Sequence, residues 1–192
     1  VVAKALLHLN LHGFESEYML AHFGYCLGFI IVILGRMQLF TENTITPILQ
    51  LLLHPTKENF GRTARIWGIV FLANMCGALF AAILTVYVGI FTPEQVEAMT
   101  KVSMIITEHG FLETMLYGIP AGLLIAVVVW LLPSSKGFGL WTIVIFTYLI
   151  SLGGFSHVIA GSVEAFILLL QGLVSFKGAV IDFLLPALIE IG

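Results

Sequence analysis

Ile150-Ser151-Leu152-Gly153-Gly154-Phe155-Ser156-His157 interrupts an apolar segment, Gly139 to Gln171, that is too long for one straight crossing of a bilayer. At about 1.5 Å per residue it exceeds ~45 Å, against a hydrocarbon core of about 30 Å. Paired glycines weaken a helix and Ser156 suits the cap of a restart, so the sequence predicts two half-helices joined by an irregular turn. His157 opens the second half. Tyr18 to Leu53 is also overlong and has its own break, Gly35-Arg36-Met37-Gln38-Leu39-Phe40-Thr41-Glu42-Asn43-Thr44-Ile45-Thr46-Pro47, with Thr46 as cap and Pro47 as first helical position. Either break alone reads as a kink that serves helix packing. Two breaks at corresponding places in two halves point to a binding site on an inverted repeat.

Uninterrupted apolar runs lie between them. The expected order is a broken span 18–53, whole spans 66–91 and 111–132, a broken span 139–171 and a partial span 180–192, all in one transmembrane domain. The chain does not begin with Met and is read as an internal piece of a longer molecule, carrying the middle spans of an arrangement of three plus three helices whose first and last are incomplete here. Composition agrees with a lipid surrounding: of 192 residues 59% are hydrophobic and 10% charged, with a mean hydropathy of +1.07, whereas soluble domains carry about 25% charged residues. A net charge of −3 with scattered Lys and Arg offers no footprint for nucleic acid. Val1 to Leu11 has no signal-peptide pattern. Cys26 and Cys76 sit in apolar runs as small hydrophobes, the histidines form no close metal-ligand pattern, and no cofactor is expected. Lys57, Arg62, Arg65 and Lys136 mark cytoplasmic loops, while Glu94, Glu97 and Glu108 mark an outward connection.

An ionisable group inside a span is expensive, which singles out Arg36, Glu42, His157 and Glu164. Arg36 has a snorkelling role as its bland reading, and Glu42 the capping of backbone N–H groups in an irregular turn. His157 is the strongest candidate for a pore residue; its alternative is to satisfy the irregular backbone of the first break. Glu164 lies two turns further on nearly the same face, with ~10 Å of axial rise between them. Asn74, inside a whole span, reads as a structural bond across helices. Ser156 beside His157 lacks the second glycine of a nucleophile elbow, so an intramembrane hydrolase is a weak alternative and no catalytic residue is assigned.

Three ordered stretches, Gln38-Leu39-Phe40-Thr41-Glu42-Asn43-Thr44, Phe71-Leu72-Ala73-Asn74-Met75-Cys76-Gly77-Ala78-Leu79 and Gly154-Phe155-Ser156-His157-Val158-Ile159-Ala160-Gly161, resemble motifs of the formate/nitrite transporter family. The resemblance spans nearly the whole chain. It implies an all-α membrane protein with an aquaporin-like inverted repeat, second and fifth helices broken, assembled as a homopentamer in the cell membrane, which is the inner membrane if the source is a Gram-negative bacterium. Each protomer would hold a channel for small monovalent weak-acid anions such as formate or nitrite, and would not be an enzyme. Carried over by position, the pathway is His157 with Thr41, an outer constriction of Tyr25, Phe29 and Ile150, and an inner one of Leu39, Phe40 and Leu79. Glu42, Asn43, Asn74, Ser156 and Glu164 are secondary candidates. The departures mark a divergent branch: Ser156 where many members have glutamate, and Gly161 and Gly122 where asparagine is common. A non-transporting scaffold subunit is the opposing reading.

Overall fold

A computed structural model describes residues 22–189; Tyr18 to Ala21, the expected start of the first broken span, lie outside the described residues, as do residues 190–192. Eight α-helices are found among the described residues: α1 Phe23–Leu34, α2 Ile45–Leu53, α3 Lys57–Tyr87, α4 Pro93–Ser103, α5 Phe111–Leu131, α6 Gly139–Leu152, α7 Val158–Leu170 and α8 Leu185–Ile189. A π-helix, Gly178–Leu184, runs directly into α8. Both expected breaks are present, between α1 and α2 and between α6 and α7.

Helix ends follow caps rather than hydropathy. The span expected at 66–91 is α3, which begins at Lys57 because the Thr56 hydroxyl accepts the Asn59 N–H at 3.1 Å, and stops at Tyr87. Hydropathy locates the apolar centre of a helix, whereas side-chain caps fix its ends. The outward connection is largely the short helix α4, closed by a reciprocal capping box between Thr92 and Gln95. At its first turn Glu94's own backbone N–H, then the Thr92 hydroxyl, hold the Glu94 carboxyl below its ordinary value. Gln171 Nε2 donates to Thr100 Oγ1 at 2.9 Å and ties α4 to the end of α7.

Packing interlocks the two halves. α3 lies along α7 and α1 along α6, which joins the halves, while α5 packs against α6 and α2 against α3 within them. One apolar cluster joins Phe29 of α1, Leu39 of the first break, Ile125 and Val128 of α5, and Ile143 and Ile150 of α6. A second joins Phe40, Val158 and Ala165 of α7, and Phe183 and Leu184 of the π-helix. Consecutive residues Leu39 and Phe40 therefore enter different clusters, which fixes the first break between them. Outward faces stay apolar: Leu53, Leu72, Trp130 and Trp141 are all more than 60% exposed, which suits contact with lipid or another subunit. α3, and α5 with its short extension to Ser134, are long and apolar enough to cross a bilayer.

Candidate functional site

Both breaks open with the same backbone device. At the end of α1 the Met37 N–H donates to the Val32 carbonyl (2.9 Å) and the Arg36 N–H to that of Ile33 (3.1 Å). At the end of α6 the Phe155 N–H donates to the Ile150 carbonyl (3.1 Å) and the Gly154 N–H to that of Ser151 (3.3 Å). This paired closure needs a left-handed residue at its centre. Gly154 meets that need with φ +64°, whereas Arg36 adopts φ +52° without a glycine's freedom.

The restarts differ from the sequence expectation. Ser156 is not the cap of α7; His157 is, with extended backbone (φ −136°, ψ 116°) and Nδ1 accepting the Ala160 N–H at 3.3 Å. An imidazole nitrogen does here what a serine oxygen does elsewhere. Nor do Thr46 and Pro47 open α2: Thr44 precedes its first residue, Ile45, and the Thr44 hydroxyl donates to the Thr41 carbonyl at 2.9 Å. Pro47 falls within the first turn, where its missing N–H has no helical partner to lose.

The cap fixes the chemistry of the ring. With Nδ1 accepting, a neutral His157 carries its proton on Nε2, which donates to Thr41 Oγ1 at 3.1 Å. Thr41 and His157 are 4% and 5% exposed, so this bond joins the two breaks in the protein interior. Phe29 meets the His157 ring edge-on at a centroid distance of 5.1 Å, and Tyr25 lies 5.1 Å from Phe29. Tyr25, Phe29, His157 and Thr41 form one continuous series of contacts.

Cavities flank that series. A first, of about 80 Å³, is lined by Tyr25, Ile150, Ser156, His157 and Glu164, among others; several times the roughly 10–15 Å³ that admits one water, it has room for a solute of a few atoms. On the α5 side a second cavity is lined by Thr41, Thr44, Gly118, Gly122, Ser156 and His157. Gly122 thus faces the site as a small residue. Gly161 serves a different purpose, because a Cβ there would lie 2.1 Å from Phe183 Cζ. The phenyl ring fills the space that a larger side chain would take.

Asn74 staples the first break. Its Oδ1 accepts the Phe40 N–H at 2.9 Å and its Nδ2 donates to the Gln38 carbonyl at 3.0 Å, which is the structural role expected of it. Asn43 Nδ2 donates to the Leu39 carbonyl at 2.9 Å and closes the loop on itself. Glu42 Oε1 is buried without a hydrogen bond among the described residues, so it does not cap backbone N–H groups through that atom. Arg36 is exposed and borders a groove with Glu42 and Asn43, away from His157. Leu79, expected at the inner constriction with Leu39 and Phe40, is 38% exposed and belongs to neither apolar cluster. Glu164 shares the first cavity with His157, whatever their axial separation. Thr114, His109 and Phe183 line that cavity too and were not anticipated. Both His157 nitrogens are engaged, by Thr41 and Ala160, so His157 is not free to act as a base on Ser156.

Comparison with known proteins places this geometry. The family model for the formate/nitrite transporter matches residues 1–190. The chain belongs to the formate/nitrite transporter family. That family is one of transporters, not of enzymes. Among curated relatives, the inner membrane protein YfdC of Escherichia coli (strain K12) is 37% identical over 188 residues, a match that takes in 98% of this chain and 61% of that protein. The chain therefore spans about three-fifths of that relative's length. Its fold is similar to that of a pentameric formate channel with formate bound, at a TM-score of 0.81 and 16% identity, over 99% of this chain and 84% of the other. This formate/nitrite transporter chain thus has the all-α, aquaporin-like inverted repeat expected of the family, with second and fifth helices broken.

Proposed function

We propose that the protein conducts small monovalent weak-acid anions, formate, nitrite or similar, past the His157–Thr41 pair, in a homopentamer whose protomers each hold a pore. One observation carries the reading: the two broken helices meet at a buried His–Thr hydrogen bond with a cavity on either side. A bare anion is too costly to desolvate in an apolar channel. α7 begins at the site with oriented backbone N–H groups that favour negative charge. Thr41 Oγ1, which accepts from His157 Nε2, keeps its own proton to donate to a solute. Tyr25, Phe29 and Ile150 narrow the path on one side, and Leu39, Phe40 and the partly exposed Leu79 on the other.

The segments 18–53, 66–91, 111–132 and 139–171 then cross a cell membrane, the inner membrane in a Gram-negative bacterium, with Lys57, Arg62, Arg65 and Lys136 on the cytoplasmic side. Exposed apolar faces on the single protomer support both lipid contact and subunit packing. Full-length protein in liposomes, challenged with formate, nitrite, hydrosulfide, acetate and lactate gradients in stopped flow, tests the function. Saturable flux of the smallest anions supports it. Flux no faster than protein-free vesicles for every solute favours a non-transporting scaffold.

A further inference from the structure

Two hydroxyls in the cavity beside His157 are without a hydrogen-bond partner among the described residues. Thr114 is 1% exposed on the first turn of α5, and its Oγ1 has no hydrogen-bond partner among the described residues. Tyr25 Oη, from α1, is likewise buried and without one. Both residues line the same cavity. A threonine inside a helix ordinarily donates back to a carbonyl four residues earlier, as Thr85, Thr100 and Thr147 do here at 2.9, 2.8 and 2.7 Å. Thr142, equally near the start of α6, does so to Phe138 at 3.2 Å, whereas the Gly110 carbonyl four residues before Thr114 accepts only the Thr114 N–H, at 2.9 Å. Buried hydroxyls without partners are destabilising, and are tolerated where something other than the protein satisfies them.

We propose that Tyr25 Oη and Thr114 Oγ1 form a docking site for the two oxygens of a small oxyacid, one step before His157, and so select carboxylate-like or nitrite-like solutes over one-atom anions such as hydrosulfide. A hydroxyl donates to an oxyanion and accepts from its protonated acid, so the site serves the solute in either form. The two groups come from different halves of the fold, and the Tyr25 ring continues through Phe29 to His157. A solute released from them meets the His157–Thr41 pair next. The inference rests on the function proposed above and assigns its specificity to residues outside that pair.

Tyr25→Phe and Thr114→Val remove each hydroxyl and keep its bulk. In liposomes containing the full-length protein, each should raise half-saturation for formate by about fivefold or more, the order expected from one lost hydrogen bond, and change that for hydrosulfide by less than about twofold. Melting temperatures should stay level or rise, because no protein hydrogen bond is broken. Unchanged formate half-saturation means that the hydroxyls serve ordered water only and overturns the proposal. A lowered melting temperature with unchanged selectivity overturns it too, by showing a structural partner. Absence of flux in the unsubstituted protein would count against the channel reading rather than this one; saturation-transfer NMR with formate on the same proteins then decides, with loss of signal in both variants expected and an unaltered signal contradicting it.

Discussion

The two breaks begin alike and are then held in different ways. Each first half-helix ends in the same pair of backbone hydrogen bonds around a left-handed residue. After Gly154 the chain restarts within a few residues, on a cap supplied by His157 itself. After Arg36 it wanders through residues 37–44 before α2, and although Asn43 and Thr44 bond within this longer loop, a side chain of another helix, Asn74 of α3, ties it at Gln38 and Phe40. The second break is thus a local structure and the first a tertiary one. The pair proposed to act in conduction, His157 and Thr41, is drawn from both and inherits this asymmetry: the histidine is placed by its own helix, and the threonine by packing.

The sharpest way to break the comparison is Asn74→Leu. It leaves the Phe40 N–H inside the protein without its acceptor, at a cost of about 1–3 kcal/mol. Thermal unfolding should register the loss, and hydrogen exchange should rise at residues 38–44 while residues 153–160 stay protected. Equal exchange at both breaks would show that the first is as self-sufficient as the second.

Gly154→Ala probes the second break in its own terms. A left-handed backbone disfavours a Cβ by about 1–2 kcal/mol, so this variant should melt lower with the first break undisturbed. Arg36→Gly is the mirror experiment and the smallest effect. Relief of φ +52° should raise stability by up to about 1 kcal/mol. A destabilised Arg36→Gly protein would assign the arginine side chain a bond that outweighs its backbone strain.

Much of this was legible in the sequence, and the rest was hidden for identifiable reasons. Overlong apolar segments must break, and Gly153-Gly154 and the Gly35–Pro47 stretch showed where. The caps were misplaced by one or two residues because serine and threonine are the usual choice, whereas at the second break the neighbouring imidazole took the position. Leu79 was assigned to the pathway through family resemblance, and its side chain is partly exposed on α3, outside both apolar clusters. Thr114 and Phe183 carry no local signal, since each becomes part of the site only when α5 packs on α6 and the π-helix on α7. Gly161 looked like a missing polar group and is the space that admits the Phe183 ring.

The central claim is that the hydrogen bond joining the two breaks is the polar step of an anion pathway, and His157→Phe tests it most directly. The substitution keeps a ring against Phe29 but removes the bond to Thr41 and the cap on Ala160, the cap being worth about 1 kcal/mol. Hydrogen bonds to a charged solute are worth roughly 1.5–3 kcal/mol, and each ~1.4 kcal/mol is about tenfold in rate. The account therefore predicts a folded protein, slightly less stable, whose formate flux in liposomes falls by about tenfold or more. A well-folded His157→Phe protein with undiminished flux would contradict it.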